Sequence, residues 1–480
     1  MRERGDEGSG IRLAYAVRFF ETLNAKRLDP HYFQERFVAL EKAFDLSPFK
    51  VVSLHSIVKH IDYGLMPAED YAEDKNTGEP IIRVTNIMAS GELNMQDVKY
   101  IPTETAIKSA KRVKTDDILM VQCGSTTGKV ALVPKELDGG LYASFCFGIR
   151  AKEGVSQKYL YYMLASRLVQ EQIKRTWNIV SVRPNTSKPE VKALNIILPP
   201  LATQDEMANI MENAKESRRR KLEQADKMLL EVKDCILETL NICMPAPMNL
   251  TVYATHVNKL STERLDPYFY NPDFQNLIAE IITKPHQQLG NIVGFSNTHT
   301  DPVTIKRDNG TFRYIEISGV NRHTGEITDN NILADKAPSR ARMLIRKGNI
   351  IVSLTRPHHG SIALIDASHD KCIASTGFAV INEYKHKDIL PKYLVAILRS
   401  QLCLRQMLQR SSGGNYPAIT VTELKKIIVP TPDVSVQQQI VDEIEERRRS
   451  ARRLRNESIR EWETAMANFE AQLLGQEIDQ

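Results

Sequence analysis

Leu198-Pro199-Pro200-Leu201-Ala202-Thr203-Gln204 is the stretch from which the organisation of this chain can be read. A short apolar run, Asn195-Ile196-Ile197-Leu198, stops at two prolines, and the residues that follow, Thr203 to Cys243, include neither proline nor glycine. Proline has no N–H to give a ladder and disfavours helix in the residue before it, so a strand ends and a helix begins here. Inside the helix Leu222, Ala225, Leu229, Val232 and Ile236 alternate steps of three and four, which is the seam of a paired helix. About 40 residues at about 1.5 Å each give a helix of roughly 60 Å, longer than one domain, and its apolar stripe needs a partner.

The same break comes a second time. Lys426-Ile427-Ile428-Val429 leads to Pro432-Asp433-Val434-Ser435-Val436-Gln437, and from Val434 to Leu473 proline and glycine are again absent. Ile440, Ile444, Ala451, Leu454, Trp462, Met466, Phe469 and Leu473 fall on one stripe, interrupted by Arg447 and Ser458. Other stretches repeat in the same order at a nearly constant spacing of about 235 residues. Arg27-Leu28-Asp29-Pro30-His31-Tyr32-Phe33 returns as Arg264-Leu265-Asp266-Pro267-Tyr268-Phe269-Tyr270. Asp116-Asp117-Ile118 returns as Gly348-Asn349-Ile350, Ala143-Ser144 as Ala374-Ser375, and Lys158-Tyr159-Leu160 as Lys392-Tyr393-Leu394. Collinear matches at one period mean duplication. In each half a region of short β-branched runs, such as Pro80–Val84 and Asn349–Leu354, precedes a helical pattern, a last short strand and the proline break. Each long helix thus emerges from one of two similar domains, and the two are expected to pair with each other antiparallel.

Composition is permissive. The chain has 480 residues, 42% hydrophobic and 26% charged, with a net charge of +5, so it can fill more than one core and can approach nucleic acid without being compelled to. Apolar runs are too short to span a membrane, the N-terminus lacks the pattern of a signal peptide, and the six cysteines form no CxxC pair. A cytoplasmic setting is the expectation.

The loops of both halves carry side chains able to bond base edges. In the first half they are Thr85, Asn86, Gln122, Ser125, Thr126, Thr127 and Lys129, then Arg183 and Asn185. In the second they are Asn321, Arg322, His323, Thr355, Arg356, His358 and His359, then Asn415 and Tyr416. Cys123-Gly124-Ser125-Thr126-Thr127-Gly128-Lys129 stands opposite Thr355-Arg356-Pro357-His358-His359-Gly360-Ser361, so the frames agree where the loop chemistry differs. Loops drift, and the bland account is that these are solvated. The basic runs Arg218–Lys221 and Arg447–Arg453 fit either phosphate contact or a solvated helix face paired with Glu443, Glu445 and Glu446.

Catalytic patterns are incomplete. Gly124–Lys129 is one residue short of a phosphate-binding loop, and Val130 stands where a hydroxyl is needed. Asn271-Pro272-Asp273-Phe274 is similar to the Asn-Pro-Pro-Phe motif of amino-methyltransferases but lacks the second proline. His358-His359 has no ligand cluster at metal spacing. No catalytic or metal-binding residues are assigned. A fused methyltransferase or nuclease, or an adaptor that does not touch DNA, are the alternatives.

With these motifs in view, the chain resembles the specificity subunit of type I restriction-modification systems over residues 24–474. It departs in having Asp116-Asp117-Ile118 where that family more often has Gly-Asp-Ile. The resemblance implies an α+β fold with two similar, irregular, β-rich target-recognition domains. Two long helices that pair as an antiparallel coiled coil join them, with an internal pseudo-two-fold repeat. The expected divisions are an N-terminal tail (1–23), recognition domain 1 (24–200), helix 1 (201–245), a linker (246–260), recognition domain 2 (261–430), helix 2 (431–474) and a tail (475–480). Each domain would read one part of an asymmetric bipartite double-stranded DNA target, and the helices would fix the gap. Two methyltransferase subunits and the restriction endonuclease-translocase subunits would dock. S-adenosylmethionine, ATP and Mg2+ would belong to those partners.

Overall fold

A computed structural model describes residues 29–66, 71–72, 74–108, 111–176, 184–246, 248, 250, 252–257, 260, 264–305 and 310–476. The expected N-terminal tail lies outside them. Two compact units result: one runs to Lys221 and resumes at Asn456, and the other is Leu222–Arg455. The long helices are therefore not a body of their own. The division falls within both, and each unit takes a stretch of each helix.

In the first unit a four-stranded sheet has the order β2 (Val58–Tyr63), β8 (Cys146–Ala151), β5 (Ile118–Val121), β6 (Val130–Leu132), all antiparallel. A second sheet has the order β4 (Lys99–Pro102), β3 (Gly78–Ile82), β7 (Leu141–Tyr142), with β3 and β7 parallel. β1 (Lys50–Ser53) pairs antiparallel with β9 (Asn195–Leu198). The helices α1 (Gln157–Ala165) and α2 (Arg167–Thr176) cover the first sheet. The second unit repeats this plan. β11 (Val293–Phe295), β18 (Phe378–Tyr384), β15 (Ile350–Ser353) and β16 (Ile362–Leu364) form the first sheet. β13 (Asn330–Leu333), β12 (Thr311–Ile315), β17 (Ile373–Ser375) and β14 (Ala341–Leu344) form the second, with β12 and β17 parallel. β10 (His286–Gln288) pairs with β19 (Ile428–Pro430). Where the second unit has β14, the first has a single bridge, Arg112 to Leu141.

The proline break works the same way in both units. Gln204, on the first turn of α3 (Leu201–Leu240), is buried. Its Nε2 donates to the carbonyl of Pro199 at 2.8 Å, and its Oε1 accepts from the N–H of Ser156 at 2.9 Å, at the start of α1. Gln437 donates to the carbonyls of Pro432 and Asp388, both at 2.8 Å. Its Oε1 accepts from the N–H of Leu390 at 3.0 Å, before α4 (Pro391–Leu398), which is followed by α5 (Gln401–Gln409). Each amide thus satisfies backbone groups that the break leaves open, and a buried backbone group left unpaired is costly. The recurring tyrosines act alike: the Tyr159 hydroxyl donates to the carbonyl of Ile197 and that of Tyr393 to Pro430. The Asp116 difference also resolves. Asp116 has φ 64 and Gly348 has φ 87, so both positions require the left-handed region. Asp is among the residues that tolerate it, Gly the one that adopts it freely.

The second long helix, α6, spans Val434–Leu473, and the helices pair antiparallel in each unit. In the first, Met207 and Met211 share a core with Phe469, Leu473, Tyr159 and Tyr162, and Lys221 pairs with Glu457 and Glu461. In the second, Arg455 bonds Asp226 at 2.6 Å and Arg447 donates to the carbonyl of Glu231 at 3.0 Å. There Ile236 and Leu240 share a core with Ile440 and Ile444. Of the expected seam, Ala225, Ile236, Ile440, Ile444, Ala451, Phe469 and Leu473 are buried, while Leu222, Leu229, Val232, Leu454, Trp462 and Met466 are partly so. Two expectations are corrected. Ser458 is fully buried and belongs to the seam, as a small side chain suits a close helix approach. Arg447, read as an interruption, reaches across to the other helix. The seam also begins earlier than expected, at Met207, Ala208 and Met211.

Candidate nucleic-acid interface

In the second unit three loops converge. The loop between β15 and β16 runs through Thr355 and Arg356 into a single turn, Pro357–His359. The hairpin tip closed by the Val320–Ile327 bridge carries Asn321, Arg322 and His323. The loop after α5 is pinned by two bridges from Ala418, to Ser412 and to Thr355. A concavity of about 560 Å3 is lined by Asn321, Arg322, His323, Thr355, Arg356 and His359, so six residues far apart in sequence share one surface. Asn415 and Tyr416 are exposed at its margin. Asn321 is only partly available: its Oδ1 accepts from the N–H groups of His323 and Thr324, an Asx turn that sets the hairpin tip. His358 is half-buried, with its ring 4.5 Å from that of His359. Its Nδ1 is buried without a hydrogen-bond partner, and burial, then His359 and Arg356, hold its pKa below the ordinary value.

Sequence reading missed Arg399. Its guanidinium donates to the carbonyl of Ile362 at 3.2 Å and to that of Arg322 at 3.1 Å. It thereby ties the hairpin tip to the first sheet. Burial and the nearby Arg448 push its pKa down to about 10. A cationic side chain in a helical repeat gives no sequence signal that its partners are carbonyls of a strand and of a hairpin tip. Beside it lies a larger concavity of about 790 Å3, where Arg322, His323, His358 and His359 face Arg448 and Arg455 of α6.

In the first unit the loop 122–129 is tied to residues 184–186. The Gly124 N–H donates to Pro184 O at 2.9 Å, the Thr186 N–H to Gln122 O at 3.0 Å, and Cys123 bridges Asn185. Ser125 and Asn185 are exposed, and Gln122, Thr126 and Lys129 are half-buried. Thr85 is exposed on a separate turn, Val84–Asn86. Two expected readers are instead structural locks. Asn86 is buried, accepts the N–H of Arg83 at 2.8 Å and donates to the carbonyls of Asn94 and Asp97. Thr127 is buried and its hydroxyl lies 2.8 Å from Gly124 O and 3.0 Å from Pro184 O. Arg183 falls outside the described residues.

The basic runs are largely paired. Arg219 and Arg220 bond Glu216, Arg218 stacks on Trp462 and Lys221 meets Glu457 and Glu461. Arg447 pairs with Glu443, Arg449 with Glu446 and Arg452 with Glu326. Carboxylates so placed offset the positive field of each run, so the solvated, paired face describes them better than a phosphate track. Among the described residues, no group of three or more His, Cys, Asp or Glu is placed to hold a metal ion, and no helix is long and apolar enough to cross a membrane.

One frame built twice, each copy packed on its own stretch of two long helices and each turning different polar loops outward, defines a two-headed recognition scaffold. The family model for the type I restriction modification DNA specificity domain matches residues 47–227 and 286–459, most of the chain, and the chain belongs to that family. It is 31% identical over 128 residues to the type I restriction enzyme HindI specificity subunit of Haemophilus influenzae. That alignment covers 25% of this chain and 28% of the relative, so it spans under a third of the relative's length. A solved structure described as the structural basis of complex assembly and conformational transition of the type I R-M system has the same fold. It has a TM-score of 0.52 and 17% identity, over 89% of this chain and 97% of that one. The HsdS subunit from Thermoanaerobacter tengcongensis gives a TM-score of 0.40 at 16% identity, over 89% of this chain and 97% of that one.

Proposed function

We propose that this chain is the DNA-reading subunit of a type I restriction-modification complex. Each unit reads one part of an asymmetric bipartite duplex target, and the long helices set the gap between the parts. The observation that carries this reading is the contrast between a repeated frame and unrepeated loops. The matched glutamines, tyrosines and sheet orders keep two heads alike. Gly124, Thr126 and Thr127 on one loop correspond to Arg356, His358 and His359 on the other. A rigid scaffold with interchangeable polar loops is what base-edge readout needs.

In this reading the chain performs no chemistry by itself. Two methyltransferase subunits and the endonuclease-translocase subunits join it, S-adenosylmethionine, ATP and Mg2+ serve those partners, and the assembly works in the cytoplasm. The test is the base preference of the chain co-purified with its modification subunits, measured on a library randomised at two half-sites and with variable gaps. Two separate motifs at one gap are expected. Adding one heptad to both helices, beside Ala225 and beside Ala451, keeps the seam in phase and adds about 10 Å, so the gap should grow by about three base pairs. Protection without sequence preference would refute the reading function, and an unchanged gap would refute the ruler.

A further inference from the structure

One residue in the loop after β15 has a backbone suited to glycine and yet is an arginine. Arg356 has φ 46 and ψ 52, in the left-handed region, where a side chain with a Cβ is strained. At the equivalent place in the first unit stands Gly124, with φ 98. The local hydrogen bonding is the same: the Gly124 N–H donates to Pro184 O at 2.9 Å, and the Arg356 N–H to Pro417 O at 2.7 Å. The second head therefore keeps a turn designed around glycine and accepts strain in order to carry a guanidinium there.

That guanidinium is held in one orientation. Its carbon lies 4.4 Å from the ring centroid of Tyr416, and Nη2 donates to the carbonyl of Asn415 at 3.2 Å. Tyr416 is itself 71% exposed, and its loop is closed by the Ser412–Ala418 bridge, with N···O distances of 2.9 and 2.8 Å. An exposed aromatic ring at a loop tip buries little of its own surface, so it stabilises the fold weakly. What it does is flank the Arg356 guanidinium and, with the Asn415 carbonyl, restrict where it can lie. One Nη2 hydrogen is used by Asn415, and Arg356 lines the concavity with its other guanidinium N–H groups still available.

We propose that Arg356 is the specificity-determining residue of the second head and that it reads a guanine, so that the half-site bound by this head contains an invariant G·C pair. The proposal rests on the DNA-reading function above. Two parallel N–H donors need two neighbouring acceptors, and O6 and N7 of guanine offer that pair in the major groove, whereas adenine presents an acceptor beside a donor. A phosphate can also accept the fork through two oxygens, but such a contact carries no sequence information, and a basic side chain elsewhere on the loop would supply it without backbone strain. The strained backbone and the stacked ring are accounted for by orientation.

The glycine of the first head supplies the variant that tests this. Arg356→Gly relieves the backbone, so the chain should melt at the same temperature or slightly higher. In the full complex with modification subunits, on the randomised library, discrimination for guanine at one position of one half-site should fall roughly tenfold or more. The remaining positions, the other half-site and the gap should be unchanged. Tyr416→Leu should weaken the same position by less. If Arg356→Gly leaves every base preference intact while the wild-type complex shows them, the assignment is wrong and the reading function stands. If the variant weakens all sequences equally and lowers the salt dependence of binding, Arg356 is a phosphate contact and the assignment is likewise wrong. A wild-type complex without any base preference overturns the function and this assignment together.

Discussion

The two units share a frame to the level of single hydrogen bonds and diverge within a few residues of it. Gln204 and Gln437, Tyr159 and Tyr393, and the capping residues Asp29 and Asp266 do the same work in each. The loops between β5 and β6 and between β15 and β16 do not: one is closed by buried Thr127, the other holds Arg356 over Tyr416. The second unit also has β14 where the first has one bridge. The difference teaches which interactions the duplication could not relinquish. Groups that satisfy buried backbone at the proline breaks persist, because losing one leaves several polar atoms unpaired at once. Side chains on the outward loops are held by few such bonds, and where one does lock its loop, as Thr127 does, the other unit closes the loop differently.

The comparison can be broken most forcefully at the breaks. Gln204→Leu leaves the Ser156 N–H and the Pro199 carbonyl unpaired, and Gln437→Leu does the same to Leu390, Asp388 and Pro432. Each should cost about 2–4 kcal/mol, with faster hydrogen exchange confined to its own unit. A loss in one unit only would mean the two breaks are not equivalent.

A smaller effect is expected at the left-handed positions. Gly348→Ala should destabilise by about 1 kcal/mol, since alanine meets the full penalty there and its Cβ would otherwise have open space. Asp116→Gly should stay within about 0.5 kcal/mol of the parent, because relief of the fold and the greater freedom of the unfolded chain oppose each other. A gain on Asp116→Gly as large as the loss on Gly348→Ala would show that Asp116 gains no tolerance from its side chain.

The smallest effect is a pH dependence that only the second loop should show. His358 has its pKa lowered by burial and then by His359 and Arg356, while Thr126 stands at its place in the first loop. The unfolded chain binds the proton at a higher pH than the folded one. Stability from this group is therefore complete above the ordinary histidine value of 6.5 and declines as pH falls through it toward the lower folded value. From about pH 7.5 down to about pH 5.5 the melting temperature of the parent should fall relative to that of His358→Gln. Parallel curves would mean that His358 titrates normally.

Much of the fold was legible because its signals are local and repeated. Ile236, Ile440 and Ile444 announce a seam by their spacing, and Pro199-Pro200 announces its start by covalent geometry. The seam's ends were harder to see. Met207 and Met211 are buried by Tyr159 and Tyr162 of the head rather than by the other helix alone, and Ser458 does not look apolar. The site was legible by residue type and far less by role. Asn86 and Thr127 have the same donors and acceptors as any reader of bases, and so does Arg399.

The sequence by itself determined that one domain was written twice, that each copy ends in a proline break, and that two long helices follow with seams in matching phase. These follow from periodicity and from the stereochemistry of proline, which act over a few residues. Only the tertiary structure decided which polar side chains face inward to close turns, which line the concavity, and that Arg356 lies over the Tyr416 ring. A hydrogen bond is settled by the atom that arrives opposite, and in this chain that atom comes from 57 positions away for Thr127 and 77 for Arg399.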